Sequence, residues 1–259
     1  MVRLMVEPRL GKTVRSLRTV LSDETYGRIR EMLLTHEIAP GERINIDALA
    51  RALDVSQTPV REALARLESD DLVIKEPLRG YQATDLLTVS EIQDLFQFRG
   101  LIEPWAAAKA AQFINDEGRQ RIQQELLRGK AAEDLGIDEA YAAMSEHDSR
   151  FHTLIAELSG SEFVRDSYAR THCHLHLFRL YTVLKTLSGQ SREGATVVGE
   201  LFDLYYRPTS GFLAFKEHEE IANSVMAGEE SKASRLMLEH IENSRNRFAP
   251  TMSALENSQ

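Results

Sequence analysis

Residues 44–67 read INIDALARALDVSQTPVREALARL, two short amphipathic stretches that meet at Asp54-Val55-Ser56. This is the pattern of a helix-turn-helix. Ser56 has the chemistry of an N-cap, and Pro59 falls in the first turn, where its missing N–H leaves no hydrogen bond unmade. Val60, Ala63, Leu64 and Leu67 then recur at helical spacing and form the stripe that faces a core. Ser56, Gln57, Thr58 and Arg61 are left on the open N-terminal end, the end that a recognition helix presents to the major groove of double-stranded DNA.

The charge balance at first opposes a nucleic-acid partner, since 31 Lys and Arg stand against 40 Asp and Glu, a formal net charge of −9. The distribution removes most of the objection. Residues 1–86 carry 13 basic and 14 acidic side chains, whereas residues 87–259 carry 18 and 26. The opening segment, with Arg3, Arg9, Lys12, Arg15 and Arg18 against Glu7, is locally basic. A chain of 259 residues has room for two domains with separate cores. The single Cys173 leaves no intrachain disulfide framework. No apolar run approaches the ~20 residues needed to span a bilayer, and no contiguous signal-peptide core opens the chain. The expectation is a cytoplasmic protein without membrane contact.

Residues 1–21 have no clean period and are expected to form a mobile arm, either a plain leader or a basic segment that touches phosphates. Ser22 or Asp23 then caps a helix bearing Tyr26, Ile29, Met32 and Leu33, and Ala39-Pro40-Gly41 makes the following turn. Asp47 starts the first helix of the helix-turn-helix. After the second come a strand at Leu72-Val73-Ile74, a turn over 76–80 and a strand from Tyr81, a hairpin placed as a wing. Three helices and a wing over 22–86 make a winged helix.

Gly41 after Pro40, Leu49-Ala50, Val55-Ser56-x-Thr58-Pro59-Val60-Arg61-Glu62-Ala63-Leu64-x-x-Leu67, Leu72-Val73 and Arg79-Gly80-Tyr81 together resemble the N-terminal signature of the GntR family of bacterial transcription regulators. The resemblance implies DNA contacts from Ser56, Gln57, Thr58 and Arg61, with Arg79 and Gly80 of the wing reaching the minor groove. It also implies a homodimer on a palindromic operator, in keeping with the symmetry of paired half-sites. Gln57 departs from the family, which mostly has Arg there. Arg pairs with guanine O6 and N7, whereas Gln matches adenine N6 and N7. Gln57 is expected either to shift the base preference or to touch only phosphate and water.

From Thr88, which forms a capping box with Glu91, the pattern becomes all helical. One long helix runs into Ala106–Ala111, with a kink expected at Pro104. Others cover about 116–132, 138–159, 161–187, 212–227 and 230–248, an all-α antiparallel bundle over 88–248 with a tail at 249–259. Residues 188–211, with Gly, Ser and Pro at both ends, are ambiguous: an unusually long connection, with a short helix across 195–206 as one reading. Asp148 and His152 lie one helical turn apart beside the stripe of Phe151, Leu154, Ile155 and Leu158. His218 falls in the stripe of Ala214, Ile221, Ala222 and Val225, and His240 in that of Ala233, Leu236 and Met237. The turn at 227–230 lies midway between these two histidines. A helical hairpin would bring both to one level, each roughly 16 Å from the turn. Three imidazoles and a carboxylate on inward faces suit a divalent metal ion such as Zn²⁺, Ni²⁺ or Mn²⁺.

Arg99-x-x-x-Glu103, Asp148-x-x-Phe151-His152, Glu217-His218-x-x-Ile221 and Met237-x-x-His240 resemble the FCD ligand-binding domain of the FadR-like branch of the same family. In its metal-binding members the ligands correspond to Asp148, His152, His218 and His240. A small carboxylate effector binds beside the metal, and the residue matching Arg99 faces that cavity. A guanidinium suits carboxylate recognition; the alternative for Arg99 is a pair with Glu103 along its own helix. Ser161 departs from the Asn common in the family. His172 and His176, one turn apart, either line the pocket with Arg99 or form a polar helix face; His174 has no assigned role. The leading function is therefore an effector-controlled transcription regulator. A metal-dependent hydrolase using the same Asp/His group, or a regulator whose metal is purely structural, are the alternatives.

Overall fold

The computed structural model describes residues 10–135, 137–188 and 213–256. The expected connection at 188–211 lies almost wholly outside them, as does the start of the expected N-terminal arm. The chain divides into two compact units, residues 1–86 and 87–259.

Unit one has the order α1 (Leu10–Leu34), β1 (Arg43–Ile44), α2 (Ile46–Ala52), α3 (Gln57–Ser69), β2 (Val73–Glu76) and β3 (Gly80–Ala83). Its core is Ile29 and Leu33 of α1 against Val60, Ala63, Leu64 and Leu67 of α3, all with no exposed surface. Tyr26 closes the edge of that contact, donating to Asp70 Oδ2 at 2.6 Å beneath the guanidinium of Arg66. The wing hairpin pairs Val73 with Ala83 and Glu76 with Gly80. Gly80 takes a left-handed φ of 87°, which explains glycine at that end of the turn. A strand absent from the sequence reading, β1, adds to β3 through Arg43–Gln82 and Ile44–Tyr81, giving the order β1-β3-β2. Two residues are too few to show a period-2 pattern.

Two expected boundaries and one expected capping bond change. First, α1 begins at Leu10, so 10–21 are helical and Ser22 and Asp23 sit inside a helix. No proline follows Pro8 in this stretch, and a helix nucleated by the packed turn at Ile29 propagates back at little cost. Second, α2 starts at Ile46 rather than Asp47 and is capped by Asn45, whose Oδ1 accepts from the N–H groups of Asp47 and Ala48, both at 3.0 Å. Third, Ser56 takes the extended N-cap conformation before α3, but its hydroxyl makes no capping bond.

Unit two contains α4 (Val89–Phe113), α5 (Asp116–Lys130), a 3₁₀ turn over Ala131–Asp134, α6 (Ile137–Leu158), α7 (Glu162–Ala169), α8 (Cys173–Ser188), α9 (Leu213–Met226) and α10 (Glu230–Glu256). Both bonds of the Thr88–Glu91 capping box are present. The buried alanines of α4 let α10 lie close along it, and Phe96 meets Phe248 at a ring separation of 6.1 Å. Helix α4 passes through Pro104 and remains helical on both sides. Gly228 (φ 75°) ends α9, and Glu229 N–H reaches back to the Ser224 carbonyl in a Schellman closure that reverses the chain into α10.

Two further expectations are corrected. The single helix over 161–187 is two helices, broken where Thr171 Oγ1 donates to the Tyr168 carbonyl and His172 turns left-handed at φ 42°. Neither glycine nor proline marks this break. The tail at 249–259 is helical as far as Glu256. Pro250 removes only one ladder hydrogen bond, and buried Phe248 anchors the turn before it.

Candidate functional sites

All six proposed DNA-contacting residues are exposed: Ser56, Gln57, Thr58 and Arg61 around the first turn of α3, and Arg79 and Gly80 at the wing. Pro59 and Val60 between them are buried and seat the helix. Gln57 is held on both sides. Its amide donates to Asp47 Oδ1 of α2, and its Oε1 accepts from Arg61 Nη2 at 3.3 Å. The tie to Asp47 was not legible in sequence, where Asp47 looked only like a helix start. On contact with an adenine, the Gln57 amide would exchange these exposed bonds for the paired bonds to N6 and N7. In selection from a randomised operator library, Gln57→Arg is therefore expected to change the preferred base at one position of each half-site from adenine to guanine. The change corresponds to ~1–3 kcal/mol of discrimination; identical selected sequences for both proteins would refute a base-reading role.

In unit two, α6, α9 and α10 bring Asp148, His152, His218 and His240 together, with one ligand atom from each lying within 4.8 Å of the others. His152, His218 and His240 are buried. His152 Nε2 is 3.1 Å from His240 Nε2, which is 3.3 Å from His218 Nε2. Asp148 Oδ1 lies 3.1 Å from His218 Nε2 and 3.8 Å from His152 Nε2.

The opposite nitrogen of each ring is tied. His152 Nδ1 bonds to Glu103 Oε2, and His240 Nδ1 to Glu217 Oε2 at 2.7 Å. Glu217 is itself held by Asn243 and by Arg247 at 2.9 Å. His218 Nδ1 faces His147 Nε2 at 3.1 Å, and His147 Nδ1 faces Glu125 Oε1 at 2.9 Å. Carboxylates only accept, so the protons of neutral rings sit on the Nδ1 side and three bare Nε2 lone pairs face one another. Asp148 Oδ1 is buried and has no hydrogen-bond partner despite its short separation from His218. Four electron-rich atoms turned inward repel unless a cation lies between them.

The spacing fits such an ion. With metal–nitrogen bonds of about 2.1 Å, neighbouring ligand atoms lie ~3.0 Å apart in an octahedron and ~3.4 Å apart in a tetrahedron, the range spanned by most of these separations. Burial pushes His152 down to about 4 against the pull of Glu103, and holds His218 well below the usual imidazole value against the pull of the Asp148 carboxylate 3.1 Å away. Both are therefore neutral ligands at neutral pH. Burial alone would raise Asp148, but His174 and His218 outweigh it and keep the carboxylate charged.

Arg99 is buried and makes the pair along its own helix, Nε to Glu103 Oε1 at 2.5 Å, while its Nη2 reaches within 3.5 Å of His152 Nε2. The two expectations for Arg99 are thus compatible, since one edge of the guanidinium pairs and the other lies at the histidine cluster. His172 sits in the turn before α8, and it is His174 whose Nδ1 bonds Asp148 Oδ2 at 2.6 Å, with Tyr168 Oη on its other nitrogen at 2.8 Å. The break in the helix changes which histidine of the segment reaches Asp148, something a single unbroken helix could not anticipate. His147 was also missed, although Met144, His147, Phe151 and Leu154 share one helical spacing that marked it as inward-facing. Ser161 caps α7 through the Val164 N–H, which accounts for a polar residue there.

Comparisons with known proteins agree with this division. The profile described as bacterial regulatory proteins, gntR family, matches residues 21–83, and that of the FCD domain matches residues 94–243. The HTH-type transcriptional regulator LutR of Bacillus subtilis is 29% identical over 231 residues, covering 82% of this chain and 94% of LutR. The Nta operon transcriptional regulator of Aminobacter aminovorans is 31% identical over 131 residues, 51% of this chain and 60% of that protein. Among solved structures, Escherichia coli McbR/YncC has a similar fold, with a TM-score of 0.62 at 16% identity, covering 87% of this chain and 95% of that one.

Proposed function

Since this chain belongs to the gntR family of bacterial regulatory proteins and is a DNA-binding transcription regulator with an FCD domain, we propose that it is controlled by a small carboxylate metabolite. In this reading the metabolite binds beside a divalent ion held by Asp148, His152, His218 and His240. The observation that carries it is the set of three converging Nε2 lone pairs and the unpartnered Asp148 Oδ1, each ring locked from behind. When bound, the ion supplies a Lewis-acidic point that accepts a carboxylate oxygen. Arg99, fixed by Glu103 and reaching the same point from α4, offers a second oxygen a charged donor. Glu103 and Glu217 hold the rings in one tautomer, so the cluster presents lone pairs inward without reorganising. Ser56, Gln57, Thr58, Arg61 and the wing residues Arg79 and Gly80 contact the operator, and two copies of the chain span a palindrome.

The test is operator binding by the full chain, followed by fluorescence anisotropy in the metal-loaded and chelator-stripped states with a panel of di- and tricarboxylates and hydroxy acids. A carboxylate of the right shape is expected to change operator affinity of the loaded protein by about 5- to 150-fold, the usual range of allosteric coupling. Stripping should abolish that response. A response unchanged by stripping would make the ion structural and overturn its role in effector binding.

A further inference from the structure

Glu103 and Glu217 each orient one histidine of the cluster directly, whereas the third, His218, is oriented through another histidine. His147 has no exposed surface and lies among Phe151, Phe215 and His218, at ring separations of 6.0, 5.3 and 5.2 Å. Beyond it, Glu125 is buried and gripped by Arg150, whose Nε lies 3.0 Å from both carboxylate oxygens. Only one placement of protons on neutral rings satisfies this chain. Glu125 must accept, so His147 Nδ1 carries hydrogen; His147 Nε2 is then bare and accepts from His218 Nδ1–H, which leaves His218 Nε2 bare toward the cluster.

The packing around His147 is built for this ring. A Cβ placed on Gly129 of α5 would come within 2.6 Å of His147 Nδ1 and 2.7 Å of Phe215. No real side chain fits at that distance, so glycine at 129 is what admits the imidazole between α5 and α6.

We infer that His147, backed by Glu125 and seated by Gly129, is a positioning residue that fixes the tautomer and orientation of His218 and so sets how tightly the centre holds a divalent ion. This rests on the reading of the cluster as a metal centre. Partners behind a metal-bound histidine affect metal affinity by about 10- to 100-fold.

The experiment is competition for Zn²⁺ between a chromophoric chelator and the stripped full-length protein, with apo helicity measured by circular dichroism on every variant. His147→Phe keeps the ring and the packing but removes the acceptor, and is expected to weaken Zn²⁺ binding by about 10- to 100-fold. His147→Gln places an amide oxygen near the former Nε2 position and should recover most of that loss. A merely structural role would not separate the two. Gly129→Ala crowds the imidazole off its line and should weaken binding in the same direction, which keeps the test intact if the Phe variant does not fold. His147→Phe binding as tightly as wild type, or the Phe and Gln variants being equally weak, overturns the relay alone. Wild-type protein that takes up no Zn²⁺, or His218→Ala that takes up as much as wild type, overturns the metal centre and the relay with it.

Discussion

Zn²⁺ added to the stripped protein at about 1,000 times its dissociation constant is expected to stabilise the helical unit by about 4 kcal/mol, because the folded state assembles the ligands and the unfolded chain does not. For a unit of this size, that corresponds to a rise in melting temperature of about 10 °C. The structure explains why the effect should be large. The three imidazoles come from α6, α9 and α10, which the unfolded chain scatters, and each is already locked by its outer partner. Little reorganisation is therefore charged against binding. Calorimetry of the stripped and reloaded protein measures the shift directly. His152→Ala and His240→Ala should each lose most of it, since the remaining ligands cannot close the shell. An unchanged melting temperature on reloading would show that the inward lone pairs do not take up a cation.

The stripped protein should also lose stability in mild acid, starting well above the usual carboxylate range. His152 is pushed down to about 4 in the folded state, from an ordinary value of 6.5. Above pH 6.5 it is neutral in both states and contributes nothing to the pH dependence. As pH falls from 6.5 toward 4, the unfolded chain takes up a proton that the folded protein refuses, so stability falls. One group shifted this far is worth on the order of 3 kcal/mol across that window. His218, depressed in the same direction, adds to the loss. The carboxylates act lower down. Glu217, held near 2 by His240 and Arg247 against the effect of burial, stabilises the fold above its unfolded value near 4.5 and loses that contribution as pH falls toward 2. Urea unfolding of the stripped protein at pH 7.0, 5.5 and 4.5 measures the slope, and a profile flat over this range would contradict it. Reloading with metal at pH 7 should raise the curve most where protons compete least.

Much of this architecture was legible in the residues. The stripe of Val60, Ala63, Leu64 and Leu67 and the turn chemistry around Gly80 identified a winged helix, because local pattern and tertiary burial agree there. The four proposed metal ligands were legible for the same reason, each lying on the inward face of a strongly periodic helix. What escaped was decided by contacts distant in sequence. The break at His172 has no punctuating residue; it is fixed by the Thr171 bond to the Tyr168 carbonyl and by the packing that lets His174 reach Asp148. Strand β1 exists only because β3 offers it an edge. Glu125 and Gly129 lie on a helix whose polar composition masks its inward face, and only the position of His147 shows why they are there.

The most direct test of the metal centre is anomalous scattering from crystals of untagged protein grown without chelator, with data collected on both sides of the absorption edge of the metal found by elemental analysis. The expected result is one strong anomalous peak within about 2.0–2.2 Å of His152 Nε2, His218 Nε2, His240 Nε2 and an Asp148 oxygen. Metal-replete crystals with no anomalous peak among these four side chains would contradict the assignment.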